Sequence, residues 1–226
     1  MNLDLHIHSR YSFDSLSDPR DIIKTAKKRG LSCIAVTDHN TIKGAIDTEK
    51  ANSDGSFTVI VGAECVTVVG DIIGLFLNEE LRPTRQPFEV VDQIHSQGGL
   101  AILPHPYKGH KLSDELIRRV DAVEGFNARV SSSLNAKAQE LAKRFGKPVV
   151  AGSDAHFCYE IARGSMTLPS DDIRAELLRS GSNCMARRSP FILEIMSQVV
   201  RVVKEKRYLA VPKALGGVLS ERAREH

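Results

Sequence analysis

Asp4-Leu-His6-Ile-His8 closes one run of apolar residues, and Gly152-Ser-Asp154-Ala-His156 closes another. Alternate side chains of a β-strand point to one face, so each pair aims two strong metal ligands at a single spot. Thr37-Asp38-His39-Asn40, Gly62-Ala63-Glu64 and Leu103-Pro104-His105-Pro106 follow three further apolar, strand-like runs. Histidine and carboxylate presented together at several strand ends is what a multinuclear metal site requires. This restricts the fold sharply. The ligands can converge on the open face of a barrel, where the C-terminal ends of parallel strands carry the chemistry. An open doubly wound sheet would concentrate them at one switch point instead.

The rest of the chain supports that choice. Apolar runs predict strands over residues 2–7, 33–37, 58–61, 72–77, 100–103, 122–126, 148–151 and 183–186. Helical spacing, a cap residue before Pro19 and glycines at 30, 98, 99 and 146 predict helices between most of them. Strands alternating with helices imply parallel βα units. The expectation is an irregular α/β barrel of about seven strands with its metal site at the C-terminal strand ends, and 226 residues suit one such barrel. It should occupy residues 1–186. Residues 187–226 differ in character: a helix over 191–206, then a weakly patterned basic end, with nine Lys/Arg against four Asp/Glu. That extension is expected to pack on the barrel as a solvated helix rather than form a binding patch.

Composition excludes several classes of function. The longest apolar stretches are strand-sized, so no membrane span is expected, and nothing resembles a cleavable leader. Cys33, Cys65, Cys158 and Cys184 form no CxxC pair and read as reduced thiols, which implies the cytoplasm. Cys65 and Cys158, close to proposed ligands, are secondary candidates for soft metal contacts. A net charge of +3 does not by itself indicate nucleic acid.

Taken in order, DLHIHS, TDHN, the Glu of GAE, the His of PHP and GSDAH resemble the motifs of the PHP (polymerase and histidinol phosphatase) superfamily. The resemblance implies a distorted (β/α)7, TIM-like barrel and a two- or three-metal phosphoesterase centre binding Zn, Mn or Fe. Carried over residue by residue, it gives His6, His8 and Asp154 to a first ion. Glu64 would bridge the first and second ions, His105 would ligate the second, and His39 and His156 the third. Asp14 stands where relatives place His or Asp for the third ion. Asp71 stands where many members carry histidine, and an oxygen ligand there shifts preference toward Mn²⁺ or Mg²⁺.

The expected chemistry is hydrolysis of a small phosphorylated molecule, a nucleotide or a short nucleic-acid end through a metal-bound hydroxide. Three divalent ions carry more charge than four carboxylates neutralise, which leaves the site attractive to phosphate. His156, Glu64 and Asp154 are the catalytic candidates. Arg10, Lys108 and Arg129 are the candidate phosphate clamps, Arg129 the best placed of them. Asp4, expected on the same strand face as His6 and His8, and Asp38 read as orienting or structural carboxylates. His95 reads as a packed helix residue and His110 as exposed. A 5′→3′ exoribonuclease-like nuclease and a histidinol phosphatase are the alternatives within enzymes, but only 5% of residues are aromatic, few for stacking bases. No lysine follows a strand suited to amide hydrolysis. A non-catalytic metal-binding module is the alternative outside enzymes.

Overall fold

The structure, a computed structural model, describes residues 1–179, 183–207, 216–217 and 219–220. Most of the basic end beyond 207 therefore lies outside the described residues.

The elements run β1 (Asn2–Ile7), α1 (Pro19–Lys28), β2 (Cys33–Val36), α2 (Lys43–Ala51), β3 (Thr58–Thr67), β4 (Gly70–Leu75), α3 (Pro87–Ser96) and β5 (Leu100–Leu103). They continue with α4 (Asp114–Arg119), β6 (Ala122–Asn127), α5 (Ser132–Phe145), β7 (Val149–Gly152), β8 (Gly164–Thr167), α6 (Ile173–Leu177), β9 (Asn183–Ala186) and α7 (Phe191–Lys204). Local chemistry fixes the helix ends. Asp18 accepts the Arg20 N–H ahead of Pro19, Ser113 and Ser131 cap α4 and α5, and Gly146 (φ 64°) closes α5 in the left-handed region.

The sheet order is β7-β6-β5-β4-β3-β2-β1-β8-β9. The ring is nearly closed: Ala155, just past β7, bridges Ile7, with His8 N donating to Ala155 O at 2.8 Å. Side chains from eight strands fill the lumen, among them Leu5, Ala35, Ile60, Ile73, Ile102, Ala122, Val150 and Met166. Two outer clusters bury the helices, one under α1 (Ile22, Ile23, Ala26) and one under α3, α4 and α5.

Two features depart from uniform parallel βα units. β4 runs antiparallel to both β3 and β5, because only Val68 and Val69 separate it from β3, far too few for a crossover. The reversal brings the N-terminal end of β4, and with it Asp71, toward the face where β3 carries Glu64. β8 and β9 are antiparallel additions beyond the seven barrel strands, β8 pairing with Asn2 and Leu3 at the start of β1.

A bulge in β1 corrects another expectation. The register against β2 shifts between Asp4, opposite Ile34, and Ile7, opposite Val36. Ile7, Ile34 and Val36 all belong to the outer cluster under α1. The extra residue thus flips the alternation, so Asp4 faces outward while His6 and His8 face the lumen. Asp4 still acts on the site, accepting the N–H groups of Ser153 (2.9 Å) and Ala162 (2.8 Å) and so holding the loop that carries Asp154.

α7 is amphipathic in the inverse sense. Its polar side turns inward: Ser197 accepts from the Arg129 guanidinium at 3.1 Å, and Lys204 Nζ donates to the carbonyls of Arg10, Ser12 and Ser15, each at 2.7 Å. Ile192, Met196, Val199 and Val203 are exposed on the helix. No helix among the described residues is long and apolar enough to cross a membrane.

Candidate metal centre

Strand ends and the turn after β1 bring all nine candidate ligands into one cluster, seven of them buried and His39 and Asp71 half-buried. His8, Asp14, His39 and His156 present donor atoms within 4.8 Å of one another, as do His6, His105 and Asp154, then His6, His8 and Glu64, and then Glu64, Asp71 and His105. Glu64 stands between these groups. Its Oε1 lies 3.1 Å from His105 Nε2 and 3.5 Å from His6 Nε2, while its Oε2 lies 3.4 Å from His8 Nε2 and 3.2 Å from His39 Nδ1. Asp154 Oδ1 faces His6 (3.7 Å), His8 (3.5 Å) and His156 (3.5 Å). Asp14 Oδ2 faces His156 at 3.1 Å and His39 at 3.5 Å.

The donor set fits divalent cations. The Nε2 atoms of His6 and His8 lie 3.2 Å apart, close to the separation of roughly 3.3 Å set by two nitrogens bound tetrahedrally at about 2.0–2.1 Å from one ion. Asp14 Oδ1 is buried with no hydrogen-bond partner. A buried carboxylate oxygen without a hydrogen-bond partner is costly unless a cation takes it.

Ionisation in the cluster is mutual. Burial pushes the Glu64 carboxyl up, but the facing His6 and His39 imidazoles overcome it and hold the group well below the usual range. Burial, reinforced by His156 and His39, drives His8 down to about 3, so its ring is the neutral form a ligand needs. Burial and then the Glu64 charge raise Asp71 to about 6. His105 (φ 28°) and Asp154 (φ 54°) both sit in the left-handed region, backbone strain of the kind found at functional sites.

Glu124 is the principal residue that the sequence reading missed. Its Oε1 faces His6 Nδ1 at 3.0 Å, and its Oε2 accepts the His105 N–H (3.0 Å) and the Asn127 amide (2.8 Å). One carboxylate therefore orients two candidate ligands. Gly152 makes room for it: a Cβ there would lie 2.3 Å from His6 Cβ and 2.5 Å from Glu124 Oε1. A lone acid inside the apolar run Ala122–Phe126 was the available signal. Asp38 organises the turn after β1, accepting from the backbone N–H groups and hydroxyls of Ser9 and Ser12.

The proposed phosphate clamps separate. Lys108 lines the cavity above the cluster, its Nζ 3.9 Å from Asp154 Oδ2. Arg10 lies outside that cavity, paired with Asp18 at 2.7 Å on an exposed surface, because the turn after His8 carries it away. Arg129 lines the cavity, but its guanidinium is engaged by both oxygens of Glu160 (2.9 Å each), by Ser197 Oγ and by the Leu193 carbonyl, which makes it a strut to α7. His110 is half-buried rather than exposed: Nδ1 donates to the Lys108 carbonyl and Nε2 accepts the Asp71 N–H at 2.9 Å. His95 sits on the α3 surface, paired with Asp121. The four cysteines are free thiols; Cys65 lines the cavity, and none of the four belongs to the donor groups.

The cavity holds about 880 Å³ and takes Phe13, Arg82, Arg85, Gln198 and Arg201 into its walls besides the cluster. The PHP domain family model matches residues 4–147, nearly two thirds of the chain, and the PHP-associated model matches residues 132–180. The chain belongs to the PHP domain family. It is similar to an uncharacterized protein of Methanocaldococcus jannaschii, 44% identical over 141 residues, 57% of this chain and 82% of that one. A second uncharacterized protein of that organism is 35% identical over 172 residues, 71% of this chain and 68% of the relative. Among solved structures, a two-domain protein of Bacteroides vulgatus described as containing a predicted PHP-like metal-dependent phosphoesterase superposes with TM-score 0.70 at 17% identity, over 87% of this chain and 68% of that one. At that identity the likeness concerns the fold.

Proposed function

We propose that this PHP-domain chain hydrolyses phosphate esters of small molecules, with two or three divalent ions held by His6, His8, Asp14, His39, Glu64, Asp71, His105, Asp154 and His156. The observation that carries the reading is the convergence of these donors at the floor of an open cavity with Lys108 beside them. Divalent ions bound there would acidify a water and neutralise phosphate oxygens. The mixed imidazole and carboxylate donor set suits Mn²⁺ alongside Zn²⁺ or Fe²⁺, and Asp71 favours the harder ion.

The chain's own groups complete the chemistry. Glu64 directs its two oxygens at different histidines, the disposition of a bridging carboxylate. Lys108 supplies a cation for a non-bridging phosphate oxygen. His156 is tied through Nδ1 to the Asp154 carbonyl at 2.9 Å, which leaves Nε2 facing Asp14. That nitrogen is the atom to ligate an ion or to deliver a proton to the leaving oxygen. Glu124 and Asp4 hold the ligands in register.

A small substrate is favoured over a nucleic-acid end. Among the described residues, Phe13 is the one aromatic ring on the cavity wall besides the histidines, and it is already stacked on His39 (4.3 Å, 4°) and under Arg201 (4.7 Å), so it offers no free platform for a base. The free thiols fit a cytoplasmic site of action.

The test is phosphate release at controlled Mn²⁺ or Zn²⁺, comparing wild type with His105→Ala. The panel holds p-nitrophenyl phosphate, histidinol phosphate, AMP, 3′,5′-bisphosphonucleotides and a short 5′-phosphorylated RNA. Metal-dependent release that disappears in the variant is expected, and the preferred compound fixes the subclass. Silence across the panel with metal shown bound would sink the proposal.

A further inference from the structure

A phosphate group needs only a small part of a cavity this size, and among the apolar and neutral residues of the remaining walls stand four arginines against one acid, Glu80. Arg201 comes from α7, beyond the 4–180 span that the family models match, yet its side chain lines the same cavity as the metal-binding cluster. It is held in place from two sides: Phe13 lies under the guanidinium, and Glu205 accepts from Nε at 3.2 Å. Nη1 and Nη2 have no hydrogen-bond partner among the described residues. Gln198 lies three residues earlier on the same helix face and also lines the cavity. Arg82 and Arg85, from the segment between β4 and α3, line it too; both are exposed and their guanidinium groups have no partner among the described residues.

A planar fork with its outer nitrogens unpaired, already ordered by an aromatic ring and a carboxylate, recognises carboxylate or phosphate at little ordering cost. Resting on the phosphoesterase reading, we propose that Arg201, assisted by Arg82 and Arg85, selects substrates whose leaving group carries a second anionic group, a carboxylate or a phosphate. Arg129 cannot serve this purpose, since Glu160, Ser197 and Leu193 engage it. Lys204 supports the arrangement by pinning the C-terminal end of α7 to the loop that carries Phe13. The floor would then hold the ester phosphate, and α7 would read the remainder of the molecule.

The experiment compares kcat/KM for phenyl phosphate, 4-carboxyphenyl phosphate and 4-(phosphonomethyl)phenyl phosphate on the Mn²⁺-loaded full chain. Wild type is measured with Arg201→Gln, Arg201→Lys and the double variant Arg82→Gln/Arg85→Gln. One charge-assisted contact predicts that wild type prefers an anionic ester over phenyl phosphate by about tenfold. Arg201→Gln should remove most of that ratio, Arg201→Lys should restore part of it, and the double variant should reduce it. Whichever anionic ester gains more identifies the second group as carboxylate or phosphate. A wild type without preference overturns the proposal. So does an Arg201→Gln variant that slows all three esters alike, since that marks a role through Phe13 and His39. Release from none of the three would remove the phosphoesterase reading itself, and this proposal with it.

Discussion

The floor and the wall of the cavity are built on opposite principles. At the floor, strand ends and the turn after β1 deliver five histidines and four carboxylates, almost all buried, in donor groups linked through His6, His8, Glu64 and His105. At the wall, α7 and the segment before α3 contribute arginines that are partly or fully exposed and only partly engaged. Arg129 and Arg201 show the contrast in one residue type: the first is locked by Glu160, while the second keeps its outer nitrogens open. A barrel fixes its chemistry where backbone geometry leaves little freedom and leaves recognition to elements that can change without disturbing it.

Substitutions on the two sides of that division should have different consequences. The largest effect is expected from Glu64→Gln at the floor. It should lower kcat by more than the roughly hundredfold associated with orienting partners, with metal content measured alongside to show the accompanying loss of ions. Arg129→Met comes next and is read as stability. It leaves Glu160 charged and buried, a loss of about 3–5 kcal/mol, visible as a drop in Tm of roughly 10 °C for a chain of this size. An unchanged Tm would return Arg129 to the role of phosphate clamp. Glu124→Gln should cost about 10–100-fold in metal affinity or activity; a variant indistinguishable from wild type in metal titration would show that His6 and His105 are oriented without it.

The smallest effect concerns pH. Burial and then His105 lower His110 from its usual 6.5 to about 4. As pH falls, the unfolded chain takes this proton first, so the contribution is full above pH 6.5 and is lost progressively toward pH 4. Thermal melts of metal-stripped protein at pH 7 and pH 5 should therefore show a smaller acid loss for His110→Gln than for wild type. An equal loss would show that His110 protonation does not contribute to the acid sensitivity of the fold.

Much of the floor was legible because period-2 alternation and turn chemistry are local. The strand over 2–7, the helix over 87–96 and the strand over 100–103 have the bounds expected from sequence. The bulge in β1 was not legible, because an extra residue opposite β2 leaves no mark in β1's own pattern; it turned Asp4 outward. The reversal of β4 was not legible, because strands expected over 58–61 and 72–77 leave ten residues between them, whereas β3 and β4 come within two residues of each other. The partners of Glu124 were not legible, because His6 and His105 lie 118 and 19 positions away from it in the chain. The wall was hidden for a different reason. Arg201 meets Phe13 across nearly the whole chain, and a helix with apolar residues on its exposed side reads from sequence as one that buries them.

If the floor is a metal-dependent phosphoesterase centre, its activity must track its metal content. Chelator-stripped protein would be reloaded with graded Mn²⁺ or Zn²⁺, with bound metal and phosphate release from p-nitrophenyl phosphate measured in the same samples. Release should be absent without metal, rise with metal content and level off at two or three ions per chain. Full loading without release, or release indifferent to metal, would contradict it.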